Sequence, residues 1–346
     1  MPGTKHILVI RLSAMGDVAM TVPLIRALVH QYPQVRVTVV SRPLFKPFFD
    51  DIPRVAFHAA NTNGKHKGLL GIWRLYKELK AHHIFAVADL HNVLRSKLLT
   101  FLFKLKGKKT ATTNKARREK KALIRAKNKV FKPLTPVIQR HANVFRQLGF
   151  PVNIDKAIYP EKAPLTPDIL EITGDKEQPW IGIAPFAQHA GKAYPKDLMQ
   201  EVINKLAFNG NYKLLLFGGG NKETAQLEGF AKGHTNVEVI AGRLKLRQEL
   251  RLMEHLDVML SMDSGNGHMA AMLGVNVVTL WGATHPYAGF APYNQPPENS
   301  IMADREKYPL LPTSIYGNKK VEGYENAMRT ITPDSVVAKI KEILHQ

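Results

Sequence analysis

Three short stretches put a charged side chain among small residues directly after an apolar run. In "SAMGDV" (13–18), behind "HILVI", Asp17 follows Gly16 where a helical pattern begins. A carboxylate there can act as a general base if a substrate hydroxyl comes within about 3 Å. It can equally serve as a first-turn carboxylate satisfying backbone donors. Gly16 allows close approach or a left-handed backbone. In "MDSGNGHMAAMLG" (262–274), Asp263 and Ser264 precede Gly265, Gly267 and His268 at another helix start. Unscreened first-turn N–H groups with a nearby histidine make an anion site; Asp263 and Ser264 also suit plain caps. In "APFAQHAGKAYP" (184–195), Gly191 and Lys192 could set a mobile ammonium over a departing diphosphate, the other reading being a solvated loop lysine.

Weaker signals accompany these. "FGGGN" (217–221) is neither a dinucleotide fingerprint nor a P-loop, but Gly218, Gly219 and Gly220 leave room for a nucleotide against the backbone. Asp89 and His91 follow a strand and read as a cap or as cleft lining. Trp180, Trp281 and Tyr287 read as core or loop aromatics, the last two within reach of a base or sugar. No HExxH, GxSxG or cysteine is present, so neither a metal site nor the familiar nucleophile arrangements are expected.

The elements that must position these residues follow from hydrophobic periodicity. "HILVI" (6–10), "VRVTVVS" (35–41), "VAFHA" (55–59) and "IFAVADL" (84–90) read as buried strands separated by helical patterns. The pattern restarts at "WIGIAP" (180–185) and alternates through "YKLLLFGGG", "VEVIAG", "VMLSMDSG" and "VNVVTLWG". This predicts an α/β protein of two doubly wound lobes facing across a cleft, with ligands beyond the carboxyl ends of parallel strands. The expected boundaries are an N-terminal lobe over 1–165, a C-terminal lobe over 178–330 and a terminal helix over 331–346, Thr332 capping ahead of Pro333. The helix after the first strand is expected to run unbroken from Val18 to Pro33.

Composition narrows the class. The 346 residues contain no cysteine and carry a formal charge of +21. Residues 1–160 hold 30 Lys and Arg against 7 Asp and Glu, and the remainder 19 against 21, so one half carries the whole excess. Residues 104–132 alone hold 13 basic residues and one acid, forming a helix or mobile loop that would attract a polyanion. No signal peptide and no apolar run long enough to cross a bilayer is visible, and a cytoplasmic location is expected.

Taken together, "RLSAMGDVAMTVPLIRAL" and "DSGNGHMAAMLGVNVVTLWGATHP" resemble the bacterial lipopolysaccharide heptosyltransferases, glycosyltransferase family 9, over nearly the whole chain. The resemblance implies a GT-B fold and inverting transfer from an ADP-heptose-like donor to a lipopolysaccharide core hydroxyl, without metal or other cofactor. It makes Asp17 the general base. Lys192, Ser264, Gly265 and His268 would hold the donor diphosphate, Asp263 the donor sugar, and Gly218 to Gly220 the nucleoside. Ala187 and Gln188 stand where the family has hydroxyl residues, and Gly220 where it has a ribose-binding glutamate. The basic surface of Lys104, Lys106, Lys108, Lys109, Arg117, Arg118, Lys120, Lys121 and Arg125 would meet a phosphorylated lipid A–core acceptor at the anionic inner-leaflet surface, with the enzyme peripheral to the inner membrane. Two rival readings are a transferase or epimerase of the same architecture acting on another nucleotide sugar, and a basic nucleic-acid-binding protein. The second lacks any helix-turn-helix, finger or RRM signature, so no nucleic-acid partner is expected.

Overall fold

The computed structural model describes residues 4–345 as two compact units. The first comprises residues up to 115 with 135–160, and the second 116–134 with 161 onward.

The first unit contains β1 (Lys5–Ile10), α1 (Met15–Ala19), α2 (Val22–Gln31), β2 (Val35–Ser41), β3 (Val55–Ala59), α3 (Gly68–Lys80), β4 (Ala86–Asp89), α4 (Leu94–Leu105) and β5 (Lys109–Thr112). A further helix, α5 (Arg117–Ile124), belongs to the second unit, and α6 (Val137–Leu148) returns the chain to the first. The strands form one parallel sheet in the order β3-β2-β1-β4-β5. Ile7 to Ile10 are wholly buried, as expected of a central parallel strand covered on both faces. The predicted helix after β1 is broken. Thr21 donates its hydroxyl to the Val18 carbonyl at 2.7 Å, and Pro23, which has no N–H, sits in the first turn of α2.

The second unit continues with α7 (Pro167–Thr173), β6 (Trp180–Ala184), α8 (Lys196–Ala207), β7 (Lys213–Leu216), α9 (Gly220–Ala231), β8 (Val237–Val239), α10 (Leu246–Met253), β9 (Val258–Met262), α11 (Gly265–Met272), β10 (Asn276–Trp281), β11 (Ser300–Met302) and α12 (Pro333–Leu344). Its parallel sheet runs β11-β10-β9-β6-β7-β8. The terminal helix is no appendage: Val336 and Ile340 of α12 are fully buried in the core that α8 and β9 share. Thr332 caps it, accepting the Ser335 N–H at 3.2 Å.

The basic segment is divided rather than loose. Its front end closes α4 and forms β5, which pairs with β4. Its back half, 116–134, packs on the second unit, not on the N-terminal lobe that sequence reasoning assigned to it. Leu123 is fully buried beside Ala288 and Ile315, and Leu134 N–H donates to Tyr287 at 2.9 Å. Lys129 donates from Nζ to the carbonyls of Leu123, Leu310 and Pro312 at 3.1, 2.7 and 2.8 Å. Burial, reinforced by nearby Arg305, pushes the Lys129 ammonium down to about 8.

Candidate active site

In an open parallel sheet, the crevice for a ligand opens where neighbouring strands send their following chains to opposite sides. In the first unit that point lies between β1 and β4. Arg11, the first residue past β1, is 7 % exposed and donates from Nη1 to the Leu90 carbonyl just past β4 at 2.7 Å. Its other terminal nitrogen is ion-paired with Asp17, in the first turn of α1. Asp17 also accepts the Ala14 N–H at a long 3.4 Å, so the ion pair dominates over the cap. Gly16 lies inside α1 without a left-handed backbone, which corrects that part of the sequence expectation.

Two histidines surround this pair. His141, fully buried on α6, is hydrogen-bonded to the backbone of Leu90, and burial with the Arg11 charge pushes it down to about 3. His91 is likewise held at about 3 by burial and the Arg11 and Lys115 charges, the Asp17 carboxylate opposing them. Both rings are neutral at physiological pH, so Arg11 is the cation that meets Asp17. Asp89 plays a structural part: wholly buried, it accepts the N–H groups of His91 and Asn92 at 2.9 and 2.8 Å and the Ser96 hydroxyl at 3.0 Å, fixing the entry to α4. Burial raises its pKa against these bonds.

In the second unit the corresponding point lies between β6 and β9. Lys192, after β6, and Asp263, after β9, meet there with Nζ 3.2 Å from Oδ2. The lysine loop is seated rather than mobile. Gly191 accepts the Ala283 N–H at 2.8 Å, and a Cβ on Gly191 would come within 2.9 Å of both Ala283 Cβ and the Gly317 carbonyl. Gly317, at φ +77°, lies directly on the Lys192 stem, and a Cβ there would overlap Lys192 Cγ. Ser264 occupies the N-cap position of α11 without capping it; its Oγ is buried and has no hydrogen-bond partner. Gly265 opens the helix and His268 is buried in its first turn. Gly267 is explained by packing, since a Cβ would overlap the Ser261 hydroxyl.

At the end of β7, Gly219 and Gly220 stand in open space, whereas Gly218 packs against Leu227, Glu223 and Phe186. Glu223, in the first turn of α9, turns back to accept the Gly219 N–H at 2.8 Å. Trp281 is 1 % exposed and belongs to the core. Among the described residues no group of three or more His, Asp or Glu is placed to hold a metal ion.

The sequence model of glycosyltransferase family 9 (heptosyltransferase) matches residues 72–315. The chain belongs to glycosyltransferase family 9. It is a GT-B glycosyltransferase, and two of its relatives match nearly end to end. It is 24 % identical to the lipopolysaccharide core heptosyltransferase OpsX of Haemophilus influenzae, covering 98 % of this chain and 97 % of that one. It is 25 % identical to lipopolysaccharide heptosyltransferase 2 of Escherichia coli, covering 98 % and 99 %. Among solved structures, a family 9 glycosyltransferase of Veillonella parvula superposes with a TM-score of 0.76 at 18 % identity, covering 100 % and 98 % of the two chains. E. coli heptosyltransferase WaaC with ADP gives 0.65 at 20 %, covering 98 % of each.

For this family 9 enzyme, sequence reasoning missed Arg11, His141 and Glu223. Arg11 stood in plain view after β1, but nothing local tells an arginine at a strand end from a surface one; its partner Leu90 is 79 residues away. Glu223 carried a better signal, an acid in the first turn of a helix opening on glycines. Of the nine residues assigned to the basic surface, Lys120 is corrected: it is 8 % exposed, with Nζ 4.1 Å from the Phe290 ring centroid. Arg117, Arg118, Lys121 and Arg125 are exposed, but on the second unit; Lys104, Lys106 and Lys109 are exposed on the first.

Proposed function

We propose that this glycosyltransferase moves a heptose from ADP-heptose to a hydroxyl of the lipopolysaccharide core with inversion, without metal or cofactor. Its relatives' names carry the sugar and the acceptor class. The chain's own contribution is the pairing of Lys192 with Asp263 beside the unpartnered Ser264 hydroxyl, at the strand ends where an open sheet receives its ligand. That single arrangement carries the proposal.

In this reading Lys192, the Ser264 hydroxyl, the Gly265 backbone and His268 hold the diphosphate and neutralise the charge that grows on it as the anomeric bond breaks. They take the part that a divalent cation plays elsewhere. Asp263 accepts from the donor sugar hydroxyls. Gly219 and Gly220 admit the nucleoside, Gly218 being taken up by packing, and Glu223 supplies the carboxylate on that side. Asp17, oriented by Arg11, removes the proton from the acceptor hydroxyl as its oxygen attacks the anomeric carbon. Lys104, Lys106, Lys108 and Lys109 meet acceptor phosphates, and the enzyme works peripherally at an anionic membrane face.

The test is product analysis. Purified enzyme treated with chelator, given ADP-heptose and a heptose-free core acceptor, is expected to yield free ADP and an acceptor one heptose heavier. Retention of the sugar on the nucleotide would point to an epimerase instead. A requirement for added divalent metal would remove Lys192 from its proposed part.

A further inference from the structure

The helical layer of α3 and α4 turns an apolar face outward. Leu69, Leu70 and Trp73 on α3 are 73 %, 86 % and 46 % exposed, and Phe101 and Leu105 on α4 are 53 % and 64 % exposed. The two helices are neighbours on the same side of their sheet: Ile72, Leu75, Tyr76 and Leu79 share one core with Leu99 and Phe103, and the Tyr76 and Phe103 rings meet edge-on at 5.0 Å. Core demand therefore fixes the inward stripe of each helix and leaves these large side chains outside it. Single exposed leucines need no explanation; these five on two adjacent helices, with Leu94 at the start of α4 a sixth at 85 % exposed, do.

The charge around them says what covers them. Arg74, Lys77, Lys97 and Lys104 are exposed on the same two helices, and Lys77 Nζ lies 5.7 Å from the Trp73 ring centroid. Between residues 65 and 109 the acids are Glu78 and Asp89. Glu78 is occupied by His58, His66 and Lys65 at 3.0 to 3.2 Å, and Asp89 is wholly buried. A second copy of this face would oppose like charge to like. An anionic bilayer fits both features, because leucine and tryptophan enter the headgroup boundary while lysine and arginine keep their charges at the lipid phosphates.

We infer that α3 and α4 form the surface by which the protein lies on an anionic membrane, inserting Leu69, Leu70, Trp73, Phe101 and Leu105. The inference deepens the membrane part of the proposed function and rests on it, but it is read by vesicle binding and so fails separately from sugar transfer. Trp73 gives a direct signal, since Trp180 and Trp281 are buried.

Binding is measured by co-sedimentation and tryptophan emission with vesicles of phosphatidylcholine containing phosphatidylglycerol, against pure phosphatidylcholine. The wild type is expected to bind the anionic vesicles at least about ten-fold more tightly, with a blue shift quenched by brominated lipid, and to release in high salt. The double variant Leu70→Glu, Leu105→Glu is expected to lose binding about ten-fold and to lose the blue shift. Its melting temperature and its turnover on a water-soluble acceptor should stay at the wild-type level. Arg74→Glu with Lys77→Glu gives a second variant that leaves the apolar residues in place and is expected to weaken binding in the same direction. Equal binding of wild type to both vesicles, undiminished binding of the folded double variant, or loss only on reversing Arg117, Arg118, Lys121 and Arg125 would overturn the inference.

Discussion

Arg11 is tied at once to the Asp17 carboxylate and, through Nη1 at 2.7 Å, to the Leu90 carbonyl. One planar cation thus spans the chain leaving β1 and the chain leaving β4, and fixes Asp17 to the rigid end of a central strand. A buried arginine with a bidentate reach is suited to this, where a lysine would offer only a point charge.

Removal of that cation should let Asp17 drift without touching donor binding. Arg11→Ala is expected to lower kcat about 10- to 100-fold with the donor KM little changed, within the range for a misplaced general base. Arg11→Lys should recover part of the loss. Steady-state rates with both substrates varied give the answer; a KM effect with kcat intact would make Arg11 a binding residue.

Gly317 offers a test of Lys192 from outside the site's charged groups. At φ +77° an alanine costs about 1–2 kcal/mol of backbone strain, and its Cβ would displace the lysine stem. Gly317→Ala should therefore weaken ADP binding about ten-fold by calorimetry while urea unfolding shows only that modest loss. Unchanged ADP affinity would mean that Lys192 does not hold the diphosphate.

Ser264 separates ligand from cap. Replacing a capping serine with alanine commonly costs about 1 kcal/mol, but Ser264 makes no cap bond and leaves a buried hydroxyl unpaired. Ser264→Ala is expected to keep or slightly raise stability and to weaken ADP binding several-fold. A clear drop in melting temperature with ADP affinity intact would reverse the assignment.

The buried histidines predict the acid side of the stability curve. His141 has its pKa lowered to about 3 by burial and the Arg11 charge, from an ordinary value of 6.5. Between those values the unfolded chain binds a proton that the folded chain does not, so stability is lost as pH falls below 6.5. The slope approaches about 1.4 kcal/mol per pH unit for one such group. His141→Gln should start less stable at pH 7 and show a shallower decline from pH 6 to 4 in denaturant titrations. An unaltered slope would place the acid sensitivity elsewhere.

Much of this arrangement was legible before any coordinates. Continuous apolar runs mark β1, β6 and β9, because a strand buried on both faces needs such a run, and the stretches after them carry Asp17, Lys192 and Asp263. What escaped reading depended on distant partners. Strand β5 hides within lysines because its four residues are specified by pairing with β4, not by their own pattern. The course of 116–134 is set by Leu123, Lys129 and Phe131 meeting surfaces more than 150 residues later, and a run of positive charge conceals those contacts. Break points such as Thr21 lie beneath the resolution of a hydrophobic stripe.

The central claim is that Asp17 removes the acceptor proton while the donor is held by other residues. The measurement is single-turnover transfer by Asp17→Asn, beside calorimetric ADP-heptose binding by the same protein. The account predicts transfer slowed by about 10²- to 10⁴-fold with donor affinity within a factor of about two of wild type. Wild-type turnover in the asparagine variant would contradict it.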